Sequence, residues 1–215
     1  MSANKKIMPQ KGKFITLEGT EGAGKSTNLR FICEWLDAAN IPYCVTREPG
    51  GTQIAEQIRE LLLAHHGEPL DAMAELLLIF AGRAQHIARV IKPALSEGKW
   101  VVCDRFTDAT YAYQGAGREL GGELVERLEV LVQGELRPHK TLIFDVSTEV
   151  GMRRASDRGT LDRFESEPLA FFERVREAYH QRAATNPERY ALIDASRTLP
   201  EVKASVLQIL QALHA

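Results

Sequence analysis

Residues 19–26, Gly-Thr-Glu-Gly-Ala-Gly-Lys-Ser, fit the pattern G-x-x-x-x-G-K-[ST], whose chemistry is the capture of phosphate. Its glycines let backbone N–H groups turn inward around phosphate oxygens with no Cβ in the way, and a helix N-terminus behind them adds its positive end. Lys25 would bring a point charge to the β- and γ-phosphates, and Ser26 a hydroxyl to Mg2+. A glycine-rich turn matches by chance in roughly one chain of this length in a hundred. A second constellation ends the apolar run Trp100-Val101-Val102-Cys103 in Asp104-Arg105. A carboxylate there suits Mg2+, directly or through water, although alone it would serve equally as a turn residue or helix cap. Arg105 beside it costs desolvation unless it pairs with anionic oxygens, which a second phosphate-bearing substrate would supply.

These groups need elements that converge on them. The β-type run 13–18 stops at Gly19, and helical periodicity follows from Lys25 to about Ala39, the strand-loop-helix setting that the motif requires. Further strands are predicted at 41–46, 99–104, 140–146 and 190–195, with helices around 54–62, 124–132, 148–157, 168–184 and 200–213. Residues 71–95 are apolar-rich but interrupted by Arg83, Gln85, His86, Arg89 and Lys92, so they read as helices passing a polar site, kinked or closed near Pro93. This alternation predicts an α/β domain with a parallel sheet, right-handed crossovers and a site at the carboxyl ends of the strands. The run 99–104 reads as a strand buried on both faces.

Composition narrows the classes. A chain of 215 residues, 44% hydrophobic and 26% charged, suits one globular domain, here 13–215 behind a flexible tail 1–12. A formal charge of −2 argues against a nucleic-acid polymer as partner. Cys33, Cys44 and Cys103 lack metal or redox spacing and read as buried thiols in a reducing compartment, and no stretch reaches the roughly 18 apolar residues of a membrane span. A cytoplasmic protein is expected. The six histidines show no metal spacing and read as surface or core residues.

Three segments together, GTEGAGKST (19–27), TREPGGT (46–52) and DRFTDATYAYQG (104–115), resemble thymidylate kinases of the bacterial type. The likeness runs from about Phe14 to the final helix. It implies a three-layer P-loop NTPase fold, a five-stranded parallel sheet flanked by helices with a short lid, and transfer of the ATP γ-phosphoryl group to dTMP with Mg2+ as cofactor. It also implies a homodimer, for which the 71–95 and 121–134 helices are the candidates.

Residue by residue, the resemblance places ATP on Gly19, Thr20, Glu21, Gly22, Ala23, Gly24, Lys25, Ser26 and Thr27, and Mg2+ on Ser26 and Asp104. Glu21 matches an acid that approaches the deoxyribose 3′-hydroxyl. Arg59 and Arg105 match arginines that grip the 5′-phosphate, where a guanidinium fork suits phosphate oxygens, and Glu48 matches a site acid. Phe80 and Arg83 match an aromatic that stacks on thymine and an arginine that faces its carbonyl edge. In many relatives, however, that aromatic stands four residues before the arginine, where this chain has Ile79, so a core position is the alternative reading of Phe80. Thr110, Tyr113 and Gln114 fall where the family recognises the pyrimidine, and a glutamine amide both donates and accepts. The segment 153–165 resembles a lid, with Arg153 and Arg158 expected, beside Lys25 and Arg105, to neutralise charge on the transferring group. Two other classes compete: a kinase for another monophosphate, and a GTPase switch. The switch lacks its N-K-x-D segment after the fourth strand, where LIFDVSTEV stands.

Overall fold

Five strands, β1 (Phe14–Glu18), β2 (Tyr43–Arg47), β3 (Trp100–Asp104), β4 (Lys140–Asp145) and β5 (Tyr190–Asp194), pair in parallel in the order β2-β3-β1-β4-β5. The computed structural model describes residues 12–157 and 162–215. Burial explains the order. β1 is buried along its whole length and lies at the centre, and β3 beside it is buried through Cys103, while the half-exposed β2 and β5 form the edges. The expected strand positions hold to within two residues.

Period-two alternation sends each strand's side chains to two cores. Ile15, Leu17, Val102, Leu142 and Phe144 meet Ile32 and Leu36 of α1 (Lys25–Ala38) and Val206 and Leu210 of α9 (Leu199–His214). On the other face Phe14, Val101 and Cys103 pack on Ile87 and Ile91, and Ile143 packs on Phe171, Phe172, Val175 and Tyr179 of α8 (Leu169–Thr185). Each fully buried side chain of this kind contributes about 1.5–3 kcal/mol.

Between them lie α2 (Gln53–Leu63), α3 (Ala72–His86), α4 (Lys92–Ser96), α5 (Thr107–Thr110), α6 (Gly122–Gln133) and α7 (Thr148–Ser156). The interrupted stretch 71–95 resolves into α3, a π-helical turn at Ile87–Ile91, and α4, which continues from it with Pro93 in its first turn. A second π-turn, Tyr111–Gly117, prolongs α5, and Ala112, Tyr113 and Gln114 in it are buried. The expected tail, 1–11, lies outside the described residues. Gly12 is buried instead, so close to Lys99 that a Cβ would stand 2.1 Å from its carbonyl oxygen. Of the three thiols only Cys103 is fully buried; Cys33 and Cys44 are half-buried and all three are free.

Candidate active site

The loop between β1 and α1 is built around two glycines that tolerate nothing larger. Gly19 sits at φ +129° with Phe144 O 2.3 Å from where a Cβ would be, and Gly22 at φ +69° with Gly151 O at 2.2 Å. The loop is thereby seated on β4 and α7. Side chains cap the amino ends of other helices: Thr52 bonds Ala55 N, Asp71 bonds Met73 N and Ala74 N, and Ser147 bonds Val150 N. α1 begins instead on left-handed Gly24 with no capping side chain, which leaves its first-turn N–H groups to an anion. Lys25 Nζ donates to the carbonyls of Gly19 (3.0 Å) and Thr20 (2.8 Å) and stands 3.6 Å from Glu21. Burial, then the like charge of Arg105, lowers its ammonium to about 8 against the pull of Glu21, Asp104 and Glu18. Ser26 and Thr27 are exposed at the start of α1.

β3 ends beside this loop, with Asp104 in register with Leu17. Asp104 Oδ1 is buried and has no hydrogen-bond partner among the described residues. No three His, Cys, Asp or Glu side chains gather around a metal position among the described residues. A carboxylate with an unpartnered oxygen at the end of β3 suits Mg2+, which completes its octahedron from phosphates and water rather than from a protein cage. Arg105 takes a left-handed backbone (φ +66°). Its Nη1 donates to Gly19 O at 3.0 Å, its Nη2 bonds the Glu21 carboxylate, and its guanidinium lies 4.8 Å from the centre of the Tyr113 ring. Burial works against its charge, but Glu21 foremost, with Tyr113, Tyr179 and Asp104, raises it well above its ordinary value.

Glu18, wholly buried at the end of β1, accepts from Phe106 N (2.7 Å) and Tyr179 Oη (2.9 Å) and so fixes the turn that carries Arg105. Burial and then the Asp108 carboxylate push its carboxyl up to about 8, against the opposing pull of Arg105. A folded pKa above the unfolded value means stability that is full below about pH 4.5 and is lost as pH rises through about 8. Glu18→Gln removes the titration. Thermal melts between pH 5 and 8.5 are expected to show the native protein losing several degrees relative to the variant, and parallel curves would refute the assignment.

Beyond Arg105 opens a cavity lined by Glu21, Glu48, Arg59, Arg83, Arg105 and Gln114 among others. One hydrogen-bonded part of its wall is Arg105, Glu21 and Tyr113, whose Oη donates to Glu21 Oε1 at 3.1 Å. Near it Arg59 of α2 donates to Pro49 O (3.0 Å); burial, then repulsion from Arg47, and further from Arg105, lowers its pKa despite Glu56 and Asp162. Cations crowded on one wall call for an anion between them. The other part is a buried ion pair. Arg83 donates from Nε to Glu48 Oε2 (2.7 Å) and from Nη2 to Thr110 Oγ1 (2.8 Å), while its buried Nη1 has no partner among the described residues. Gln114 turns its Nε2 to Glu75 Oε1 at 2.7 Å. An unpaired donor nine-tenths buried at a cavity wall is costly unless a ligand completes it.

Most of the expected residues therefore converge, and the departures have physical causes. Phe80 does not line the cavity: it packs with Leu76 and Val125 under the Arg83 guanidinium, and Ile79 lines it instead. One residue along α3 is a 100° rotation, which decides between wall and core. Arg153 is exposed on α7 and bonds to no described residue, whereas Arg154 reaches Gly22 O at 3.3 Å. Arg158 lies outside the described residues. Phe106, a further wall residue whose ring centre lies 5.2 Å from the Arg83 guanidinium, escaped the sequence, and His86, read there only as a polar interruption of 71–95, bonds Glu48 through Nδ1 (2.8 Å) and Thr46 through Nε2 (2.6 Å). Only the D-R-F adjacency hinted at Phe106, and only the polar interruptions of 71–95 at His86.

A phosphate loop, a strand-end Asp-Arg pair and a cation-lined cavity on one parallel sheet define a P-loop kinase with separate places for donor and acceptor. A family model for thymidylate kinase matches residues 17–206. A thymidylate kinase from Ectopseudomonas mendocina (strain ymp) is 57% identical over 202 residues, 94% of this chain and 96% of that protein. One from Teredinibacter turnerae is 54% identical, over 94% and 98%. The crystal structure of thymidylate kinase from Ehrlichia chaffeensis superposes with a TM-score of 0.74 at 35% identity, covering 93% of this chain and 98% of that one. The chain belongs to the thymidylate kinase family.

Proposed function

We propose that the cavity holds dTMP with its 5′-phosphate between Arg59 and Arg105 and its base against Arg83, Gln114, Thr110 and Ile79. The reaction is transfer of the ATP γ-phosphoryl group to dTMP, giving dTDP and ADP for dTTP synthesis. The observation that carries the assignment is the buried, unpartnered Nη1 of Arg83 beside a glutamine whose amide orientation is set. A thymine edge offers a carbonyl to the first and an N–H to the second.

The acceptor is already an anionic phosphate oxygen, so no covalent enzyme intermediate is needed; alignment and charge stabilisation suffice. The uncapped start of α1 and the residues 19–27 cradle the donor phosphates. Lys25 leaves the loop carbonyls to meet them. Arg105 holds the acceptor phosphate in line, and Glu21, clamped by Arg105 and Tyr113, faces the sugar. Arg153 and Arg158 of the segment 153–165 add positive charge as it covers the site. Ser26 and Asp104 are the residues that would hold Mg2+, which when bound neutralises phosphate charge. A homodimer through α3 and α6 is favoured by Met73 and Leu77 on the first and Val130 and Leu131 on the second, all exposed. No helix among the described residues is long and apolar enough to cross a membrane, which fits a cytoplasmic enzyme of one kinase domain over 13–215.

Three variants test the acceptor site by dTMP titration calorimetry. Ile79→Ala and Arg59→Gln are expected to raise the Kd about tenfold or more. Phe80→Leu is expected to cost about 1 kcal/mol of stability and to move the Kd less than about twofold. A larger effect of Phe80→Leu than of Ile79→Ala would place the aromatic on the base after all.

A further inference from the structure

Glu75 is fully buried on α3 and does not line the cavity. Two arginines hold it: Arg118 Nε at 3.2 Å, and Arg163 Nη2 at 2.7 Å from the segment after the undescribed residues 158–161. Its remaining bond is from Gln114 Nε2 at 2.7 Å. Facing two guanidinium groups, the Glu75 carboxylate presents its oxygens as hydrogen-bond acceptors. Gln114 therefore must turn its nitrogen to Glu75. Its Oε1 has no partner among the described residues and is left as the acceptor for a ligand in the cavity that Gln114 lines.

We infer that Glu75 is the residue that makes the base site select thymine over cytosine, by locking the Gln114 amide with its oxygen toward the ligand. The inference rests on the cavity being the acceptor-base site. Thymine presents an N3–H donor and an O4 acceptor, whereas cytosine presents an N3 acceptor and an amino donor. Gln114 Oε1 and Arg83 Nη1 form the acceptor-donor pair complementary to the first. Against cytosine both positions meet like with like, and Gln114 cannot flip to relieve it, because its oxygen would then face the Glu75 carboxylate. Glu75 touches no substrate and acts as a positioning residue. A site that leaves its buried polar groups unmatched rejects a ligand far more strongly than one that merely lacks a contact.

Glu75→Gln conserves the shape and frees the amide. Arg118 and Gln114 share one oxygen of Glu75, Oε1, while Arg163 stands 2.7 Å from the other, so a glutamine whose carbonyl is held by Arg163 turns its NH2 toward Gln114 and favours the flipped orientation. The ratio of kcat/KM for dTMP over dCMP is expected to fall at least about tenfold, with an absolute rise for dCMP that no general loosening of the fold would produce. In a Gln114→Ala background the same substitution is expected to leave that ratio unchanged; a persistent effect there, or an unchanged ratio in Glu75→Gln alone, would overturn the inference. The unaltered enzyme provides a reading that survives if Glu75→Gln does not fold. One Gln114 side-chain amide proton, followed by NMR, is expected to exchange with water about a hundredfold more slowly than that of an exposed glutamine before any nucleotide is added. Fast exchange that only dTMP slows would mean that the nitrogen faces the ligand, and the inference would fall. Titration with the N3-methyl analogue of dTMP separates the two levels. If it binds as tightly as dTMP, the reading of the cavity as the base site fails; if it binds weakly while the Glu75 experiments fail, only the role of Glu75 does.

Discussion

Lys25→Met is expected to lower kcat by about a hundred- to a thousandfold, the usual loss when one preorganised cation is withdrawn from a transition state. The surroundings of Lys25 show why the cation is available. Its Nζ is held by two loop carbonyls, Gly19 and Thr20, at the mouth of an uncapped helix, and its pKa is lowered to about 8, first by burial and then by Arg105. Phosphates reverse that balance, because they add negative charge beside the ammonium. Lys25 does not line the acceptor cavity, so the dTMP Kd of the variant should stay within about threefold of the parent. A parallel loss of dTMP affinity and turnover would show that the lysine shapes the fold of the loop and not the charge. The depressed pKa also sets a stability signature. A base whose folded pKa of about 8 lies below its unfolded 10.5 costs stability below pH 8, and that cost fades as pH rises from 8 to 10.5. The melting difference between Lys25→Met and the parent should shrink across that window.

The second large effect is expected at Arg105. Arg105→Lys keeps one charge but loses the fork that reaches Gly19 O and Glu21 together and the flat face over Tyr113. Lysine also occupies the left-handed backbone at the same strain, so the comparison isolates the head group. A fall in kcat/KM for dTMP of about a hundredfold is expected. Thymidine, which has the base and sugar but no phosphate, should bind both forms equally in competition experiments. Should thymidine binding weaken as much as that of dTMP, Arg105 would be a brace for the cavity wall and not the phosphate grip.

Both residues were legible without coordinates because each is embedded in a short, local pattern. G-x-x-x-x-G-K-S is read along the backbone, and the strand before it and helix after it follow from apolar periodicity alone. The Asp-Arg strand end is also local. Long-range partners are different. Glu48 is a loop acid in the sequence, and becomes the counter-ion of Arg83 and His86 only when β2 and α3 are brought side by side. Glu18 reads as one more strand residue until Tyr179, 161 positions away, donates to it. Phe80 and Ile79 illustrate the limit most sharply: two adjacent apolar residues on one helix are equally credible wall residues, and only the packing of α3 on α6 turns Phe80 inward.

The sequence by itself determined the α/β alternation, the five strands, the phosphate loop and the kinase family, because all of these rest on residue type at fixed short spacing. The tertiary structure alone decided which face of α3 meets the ligand, which donor of Arg83 is left unpaired, and that a buried Glu75 dictates how Gln114 is turned. Those are properties of pairs and triplets distant in the chain. Hydrogen-bond direction in particular depends on which partner is already satisfied, and that is settled only when the whole network is assembled.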